Sequence, residues 1–267
     1  MCYPVLKAAS ELGVPTAVHE SNAVPGLTTK MLEGSVDTIM VGFEESRANY
    51  RHPDRVEVTG TPVRVDFLNP DKAAAKRELG IPEGRPLVVS VWGSLGAAHM
   101  NEIMTDFIVR ACAKPFFNLI HSAGKAGYSR MSAALEREKP DYARLGMDVR
   151  DYIYDMPRVM AAADLVLCRA GASTLAELTA MGKPAILVPS PNVTNNHQER
   201  NARVLEAAGG ARVMLEQDFT ADSLLGLVSE LLQHPEQLDE MSKKMLELGV
   251  PDATDRIAAE VLELAGK

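Results

Sequence analysis

The chain has 267 residues, of which 46% are hydrophobic, so it is long enough to bury the core of one or two domains. It carries 28 basic and 36 acidic residues, a net charge of −8, which argues against a general nucleic-acid-binding protein because such proteins carry a basic surface. Its three cysteines are too far apart for a zinc site or a disulfide framework, and no apolar run reaches the roughly 18 residues of a membrane span. With no signal-peptide pattern, we expect a cytoplasmic protein and leave peripheral membrane contact open.

The first 64 residues predict a short α/β segment. Helices are predicted at 4–13 and 27–32, and strands at 16–19, 37–41 and 56–59. The run Gly60-Thr61-Pro62-Val63-Arg64, followed by Asn69-Pro70, is rich in turn-forming residues. We predict the linker to a second domain there.

From residue 71 onward, strands and helices alternate regularly. The predicted strands are 87–91, 116–121, 147–152, 164–168, 185–189 and 211–215. The predicted helices are 71–79, 97–112, 128–139, 156–163, 172–181, one from about 197, 221–233, 235–248 and 253–264. Alternation of elements of this length predicts an α/β fold with a doubly wound parallel sheet.

The central unit runs from residue 164 to residue 201, and ligands bind at the carboxyl ends of such strands. Ala172, Ser173 and Thr174 open a predicted helix, where unpaired amide groups and the positive end of the helix dipole favour a phosphate. Glu177 shares an arc of that helix with Ser173 and Thr174, at about 100° per residue, so its carboxylate suits a ribose diol. The alternative is a Ser/Thr helix cap followed by an ordinary exposed glutamate.

A second polar cluster opens the next helix, one strand later. It comprises Asn195, Asn196, His197, Gln198 and Asn201. Amide and imidazole groups at the carboxyl end of a strand suit sugar hydroxyls. The alternative is a polar loop that merely caps the helix.

Three more positions are candidates for binding. Ser94 lies in the small-residue turn 92–97 after a predicted strand, where a phosphate can approach the backbone, although a tight turn is the plainer interpretation. Arg64 lies at the linker, where its guanidinium suits a diphosphate, or is simply a solvated arginine. Asn22 follows a strand and suits a sugar, or is a turn asparagine before Pro25-Gly26.

Several signatures are absent from the sequence. The six histidines form no metal-ligand spacing such as HExxH, and there is no Asp-x-Asp pair to hold a divalent cation. The Walker A and GxGxxG patterns are absent as well. We therefore expect neither a bound metal nor a cofactor, and a nicotinamide-dependent enzyme is disfavoured.

The run CRAGASTLAELTAMGKPAILVPSP, followed by NNHQERNA, resembles the donor-binding signature of the MurG family of glycosyltransferases. HESNAVPGLTTK at 19–30, GTPVR at 60–64 and WGSLGAAHMN at 92–101 extend the resemblance over nearly the whole chain. That family transfers N-acetylglucosamine from UDP to lipid I in peptidoglycan synthesis. The resemblance implies a GT-B fold, with two Rossmann-like domains facing each other across a cleft. It divides the chain into a partial N-terminal acceptor-side domain at 1–64, a UDP-GlcNAc-binding domain at 65–250 and a last helix at 251–267 that packs back on the first domain.

The resemblance also implies roles for individual residues. The Ser94 turn and the helix from Ala172 would hold the donor diphosphate, together with Arg64, and Glu177 the ribose. Gln198 and Asn201 would hold the sugar hydroxyls, with Asn22 as a further contact. Backbone atoms of Ile153 would recognise the uracil, whereas the plainer interpretation of that segment is a helix capped by Asp155. Trp92 replaces the family's usual glycine, which would either narrow the cleft or pack Trp92 on the neighbouring loop.

One part of the family pattern has no counterpart in this chain. The family begins with a strand and a glycine-rich loop carrying a histidine, so we expect the acceptor half to be incomplete and the general base to be missing, with His19 and Glu20 as weak substitutes. The implied reaction inverts the anomeric carbon without a metal, uses UDP-GlcNAc and lipid I, and takes place at the inner face of the cell membrane. The alternatives are a nucleotide-sugar-binding module that is inactive without the missing half, and a UDP-GlcNAc epimerase or hydrolase of the same fold.

Overall fold

The computed structural model describes residues 2–93 and 98–266 and shows an α/β protein with two parallel sheets. The strands are β1 (Ala17–Glu20), β2 (Thr38–Val41), β3 (Val56–Val58), β4 (Leu87–Val91), β5 (Asn118–Ser122), β6 (Met147–Arg150), β7 (Leu165–Cys168), β8 (Ala185–Leu187) and β9 (Ala211–Val213). The helices are α1 (Cys2–Glu11), α2 (Leu27–Leu32), α3 (Lys72–Glu78), α4 (Ala98–Ala111), α5 (Tyr128–Glu138), α6 (Met156–Ala162), α7 (Ala172–Ala180), α8 (His197–Ala207), α9 (Ala221–Gln233), α10 (Pro235–Leu248) and α11 (Ala253–Ala265).

The two sheets differ in size and order. The first contains β1, β2 and β3 in chain order. The second contains six parallel strands in the order β6-β5-β4-β7-β8-β9. Counted from β4, this is the 3-2-1-4-5-6 order of a Rossmann sheet, which confirms the predicted doubly wound α/β fold.

Apolar side chains cover both faces of the second sheet. Along β4, Val88 points into one buried cluster, whereas Leu87 and Val89 point into the other. Successive strand residues alternate between faces, and a strand with helices on both sides is apolar at every position. This explains why the inner strands β7 and β8 appear in the sequence as continuous apolar runs.

The predicted elements are all present, and most of their ends agree to within a few residues. The largest differences are at strand ends: the strands predicted at 147–152 and 185–189 stop at Arg150 and Leu187. There the chain leaves the ladder for the loops above the sheet, where it has no strand partner. Six 3₁₀ segments were not predicted: Glu44–Asn49, Pro53–Arg55, Val65–Phe67, Tyr142–Leu145, Thr194–Asn196 and Glu216–Asp218.

The predicted linker connects the two sheets. Its glycine, Gly60, has φ +75°, and a Cβ there would lie 2.5 Å from Val250, so the approach of these two segments requires glycine. Phe67 is buried in the core of the second sheet and ends the connection. The division into domains at residue 64 remains a prediction.

A buried polar network lies on one face of the second sheet. His121 on β5 is fully buried, with Nδ1 3.0 Å from the Ser90 hydroxyl and Nε2 3.2 Å from Asn101 Oδ1. Asn101 on α4 donates through Nδ2 to the carbonyl oxygen of Ala123. That bond leaves Oδ1 as an acceptor, so Nε2 of His121 carries the proton. Burial lowers the pKa of His121 to about 3, so the ring is neutral.

A buried lysine lies at the opposite, amino-terminal end of the strands. Lys183 is 5% exposed, and its Nζ donates to the carbonyl oxygens of Ala161 and Ala163 at the end of α6. Burial lowers its pKa to about 7, and the nearby charges of Lys72 and Lys76 act in the same direction. This lysine therefore serves as a helix cap in a poorly hydrated position.

Candidate functional site

The carboxyl ends of β4 and β7 form the topological switch point of the second sheet. β4 leads to Trp92-Gly93 and β7 to Arg169-Ala170-Gly171. The helices that follow, α4 and α7, bury their apolar residues in the clusters on opposite faces. Ligands of open parallel sheets bind in the crevice at this point. Ser94 was predicted to lie here, but it is outside the described residues, so its role stays a prediction.

The first turn of α7 lies at this crevice. Its N-cap is Gly171, and no side chain caps the helix, so the Ser/Thr cap considered as the alternative is not present. The amide groups of Ala172, Ser173 and Thr174 have no partner within the helix by its geometry. Ser173 is exposed and the other two are half-buried. The helix therefore presents unpaired N–H groups and its positive dipole end to an anion.

Glu177 lies one turn further along α7 and is half-buried. Burial raises the pKa of its carboxyl group, and the Arg64 guanidinium acts in the opposite direction. Arg64 is exposed and stacks on the Phe67 ring, with 5.2 Å between the guanidinium carbon and the ring centroid. The linker arginine and the predicted ribose ligand are therefore electrostatic neighbours.

Asn201 on α8 connects the two sheets. It is fully buried, and its Oδ1 accepts a 2.8 Å hydrogen bond from the backbone N–H of Ala23. Its Nδ2 donates to Asn22 Oδ1 at 3.0 Å and to the carbonyl oxygen of Ala170 at 3.2 Å. The structure thus brings the two predicted sugar ligands Asn22 and Asn201 together, with the Asn201 amide engaged between the sheets.

Gln198, the other predicted sugar ligand, lies one turn earlier on α8 and is half-buried. Its Oε1 accepts a 2.9 Å hydrogen bond from the backbone N–H of Ser190 in the loop after β8. This bond fixes the side chain and leaves the two N–H donors of the amide for other acceptors. The loop before α8 is unusual, because Asn195 and Asn196 both have positive φ.

The two weak catalytic candidates are held within the first sheet. Glu20 is buried and accepts four hydrogen bonds, one pair on each oxygen, from residues of the following loop and α2. His19 lies with Nε2 2.8 Å from the carbonyl oxygen of Gly60 and Nδ1 3.3 Å from the Ser21 hydroxyl. A carbonyl only accepts, so Nε2 is the protonated nitrogen. Glu20 is fully engaged in hydrogen bonds, whereas Nδ1 of His19 remains an acceptor, and the catalytic role of both residues stays a prediction.

Ile153 lies in the loop after β6, which is the third strand on its side of the switch point, after β4 and β5. Its side chain is buried in the core, so only its backbone is available to a ligand. No backbone hydrogen bond of Ile153 is found within residues 2–93 and 98–266. Tyr152 and Tyr154, on either side, are exposed, and their rings pack edge-on at 5.0 Å. The predicted role in recognising uracil stays a prediction.

Trp92 packs on the neighbouring loop, which was one of the two possibilities raised for it. Its ring meets Phe219 edge-on at 5.4 Å, and the Arg169 guanidinium lies 5.9 Å from the Trp92 ring centroid. Arg169 also pairs with Glu216 at 2.6 Å and donates to the carbonyl oxygen of Val188. This cluster ties together the loops after β4, β7, β8 and β9. Sequence reasoning missed it, although Arg169 lies inside the central motif.

Within the described residues, no group of three or more His, Cys, Asp or Glu side chains is placed to hold a metal ion. No helix in that part of the chain combines the length and the apolar character needed to cross a membrane.

The comparisons with known proteins agree on one family. Residues 87–257 match the model of the glycosyltransferase family 28 C-terminal domain. The chain is 41% identical over 257 residues to the UDP-N-acetylglucosamine–N-acetylmuramyl-(pentapeptide) pyrophosphoryl-undecaprenol N-acetylglucosamine transferase of Acetivibrio thermocellus. That alignment covers 96% of this chain and 69% of the relative.

Solved structures show the same fold. MurG of Acinetobacter baumannii superposes with a TM-score of 0.77 at 26% identity, covering 98% of this chain and 70% of that one. A Listeria monocytogenes protein described as a UDP-N-acetylglucosamine 2-epimerase gives a TM-score of 0.63 at 14% identity, over 88% of this chain and 61% of that one, which shows a shared fold alone. The architecture is thus that of the GT-B glycosyltransferases, as predicted. The chain belongs to glycosyltransferase family 28 and, within it, to the MurG group.

Proposed function

We propose that this protein transfers N-acetylglucosamine from UDP-GlcNAc to lipid I, forming lipid II in peptidoglycan synthesis. The observation that carries the proposal is the uncapped first turn of α7 at the switch point, with Glu177 and Arg64 beside it. A helix end of this kind binds a diphosphate, and a carboxylate one turn away binds a ribose diol. The Acetivibrio thermocellus relative carries this transferase activity in its name.

The donor is held by groups from six segments of the chain. The amide groups of the first α7 turn and Ser94 hold the diphosphate, and Arg64 contributes a charge. Glu177 accepts from the ribose hydroxyls. Gln198 contacts the sugar and Asn22 contacts it from the other side of the cleft, whereas Asn201, predicted as a sugar ligand, is fully buried and holds the Asn22 amide in place. The backbone of Ile153 pairs with the uracil edge.

The reaction is a single inverting displacement. The acceptor hydroxyl oxygen forms a bond to the anomeric carbon while the bond from that carbon to the phosphate oxygen breaks, and UDP leaves. The proton of the hydroxyl passes to a base on the acceptor side. The negative charge that develops on the diphosphate is stabilised by the α7 dipole and by Arg64, and no metal ion is required.

The proposal extends to location and to cellular role. Lipid I is embedded in a membrane, so the enzyme works in the cytoplasm as a peripheral protein on the inner face of the cell membrane. Its product serves cell-wall synthesis, and through it cell shape and division. Residues 1–64 form part of the acceptor-side domain, residues 65–250 bind the donor, and the helix within 251–267 packs back on the first domain.

Calorimetric titration with UDP and UDP-GlcNAc, followed by a transfer assay with a lipid I analogue, tests the proposal. Binding of both nucleotides and transfer of labelled N-acetylglucosamine are the expected results. Binding without transfer favours the nucleotide-sugar-binding module. UDP release in the absence of acceptor favours the epimerase or hydrolase, for which the shared fold of the Listeria protein is the supporting observation. A chain that binds neither nucleotide refutes donor binding altogether.

A further inference from the structure

A continuous chain of hydrogen bonds runs from the first sheet across the cleft to the donor helix. It begins at Glu20, the last residue of β1, which is 8% exposed. Its Oε2 accepts from the backbone N–H of Gly26 at 2.8 Å and from the Thr29 hydroxyl at 3.1 Å. Its Oε1 accepts from Asn22 twice, from the backbone N–H at 3.2 Å and from Nδ2 at 3.0 Å. One carboxylate therefore shapes the whole loop between β1 and α2.

The charge of Glu20 also sets the orientation of the Asn22 amide. An ionised carboxylate only accepts hydrogen bonds, so Asn22 must turn its NH₂ group toward Glu20. The amide oxygen of Asn22 consequently faces Asn201, whose Nδ2 donates to it. The reverse orientation would place an oxygen against a carboxylate and an NH₂ group against an NH₂ group.

Asn201 continues the chain of hydrogen bonds to the residues just before α7. Its Nδ2 also donates to the carbonyl oxygen of Ala170, the residue before the Gly171 N-cap of α7. Its Oδ1 accepts from the backbone N–H of Ala23, which fixes its own orientation. The first sheet and the start of α7 are therefore connected through the amides of Asn22 and Asn201, of which the second is fully buried.

We propose that Glu20 is a positioning residue: by fixing the Asn22 amide, it holds Asn201 and the start of α7 in the geometry that binds the diphosphate of the nucleotide. This inference rests on the proposed function. It assigns Glu20 a role other than that of general base, for which its four hydrogen bonds leave no free lone pair of good geometry.

Glu20→Gln is the decisive variant, because glutamine has the same shape but only one acceptor oxygen. Two of the four donors lose their partner, and the Asn22 amide loses the charge that orients it. We expect UDP affinity, measured by calorimetry, to fall by about five- to tenfold. Glu33→Gln is the matched control, because Glu33, at the end of α2, is also a buried glutamate, 7% exposed, and accepts from the backbone N–H groups of Arg51 and His52, outside the hydrogen-bond chain that runs from Glu20 to Ala170. We expect Glu33→Gln to lower the thermal midpoint yet change UDP affinity less than twofold.

A double-mutant cycle distinguishes an effect transmitted along the hydrogen-bond chain from Glu20 to Ala170 from a general loss of stability. In the Asn201→Ala background the connection to Ala170 is already broken, so Glu20→Gln should weaken UDP binding no further. If Glu20→Gln is too unstable to purify, Thr29→Val removes one of the four donors and should weaken UDP binding two- to threefold.

The outcomes are distinct. Wild-type protein that fails to bind UDP overturns the proposed function and this inference with it. Wild-type protein that binds, with Glu20→Gln or Thr29→Val binding equally well, overturns only the inference. Additive losses in the cycle overturn it too. In a transfer assay, a fall in kcat with unchanged KM and UDP affinity would restore Glu20 as the base.

Discussion

Replacing Glu177 with glutamine tests the donor site most directly. Its carboxylate is half-buried on α7 and has no hydrogen-bond partner among the described residues. A ribose diol offers two O–H donors, and a carboxylate can accept both. Glutamine keeps one acceptor oxygen, turns an N–H donor toward the second hydroxyl and removes the charge.

The expected loss follows from the strength of hydrogen bonds to charged groups. Losing these bonds weakens UDP binding by about 1–3 kcal/mol, or about 5- to 150-fold in Kd. The pH dependence has a definite sign. Burial raises the pKa of Glu177 above its ordinary 4.5, and only the ionised form accepts both hydroxyls. The advantage of wild type over Glu177→Gln is therefore complete at high pH and disappears as pH falls through that raised pKa.

Calorimetry with UDP and with 2′-deoxy-UDP, at pH 8 and pH 5, provides the measurement. At each pH, the Kd of Glu177→Gln is divided by the Kd of wild type for the same ligand. The titration of the ligand's phosphate affects both values equally and cancels in this ratio. Removal of the 2′-hydroxyl should cost wild type more affinity than it costs Glu177→Gln. Glu206→Gln is the control, because Glu206 is a carboxylate on α8 that pairs with Arg203 outside the crevice. Equal affinity of wild type and Glu177→Gln for UDP would show that this carboxylate does not contact the ribose.

The remaining predictions concern stability. Lys183 has a pKa of about 7 in the folded state, so between pH 7 and 10.5 the folded protein has released a proton that the unfolded chain still binds, and the free energy of unfolding rises with pH. Urea unfolding should show that wild type gains up to roughly 4 kcal/mol of stability relative to Lys183→Met across this pH range. A stability difference that does not change with pH would refute the buried position of Lys183. His121→Leu leaves Ser90 and Asn101 without their partner and should cost about 2–4 kcal/mol in urea unfolding at pH 7. Between pH 6.5 and 3 the His121 side chain binds a proton in the unfolded chain but not in the folded protein, so wild type should lose stability relative to His121→Leu as the pH falls. A stability difference between the two proteins that does not change with pH would contradict a buried, neutral His121 ring.

The sequence predicted the elements because their signals are local. A run such as Leu165–Cys168 is apolar at every position, and a strand buried on both faces needs that composition. The helix at 172–180 has small residues at its start and Gly182 after its end. The strand order could not be obtained in the same way, since it depends on which strands pair. It became predictable only through the family resemblance.

The polar contacts between distant segments escaped sequence reasoning. Asn201 and Ala23 are 178 positions apart, and nothing local to Asn201 distinguishes a ligand for sugar from a bridge between two sheets. Glu20 resembled a catalytic candidate because it follows a histidine at a strand end. The structure surrounds it with four donors that all lie within nine residues of it. That local pattern is the signal that could have identified its positioning role.

The contact between the two sheets combines tight backbone approach with a few hydrogen bonds. Glycine allows this approach at one point: a Cβ at Gly60, which follows β3, would lie 2.5 Å from Val250, which follows α10. A cavity of about 210 Å³ remains between the sheets, lined in part by Phe43, Leu175 and Val250. Phe43 and Val63 pack against the core of the second sheet, but apolar contacts are not directional, so the alignment of the two sheets depends on the hydrogen bonds between them. Because Asn201 makes two of these bonds, to Ala23 and Asn22, and Glu20 orients the Asn22 amide, the alignment of the donor helix with the first sheet depends on the buried side chains of Asn201 and Glu20.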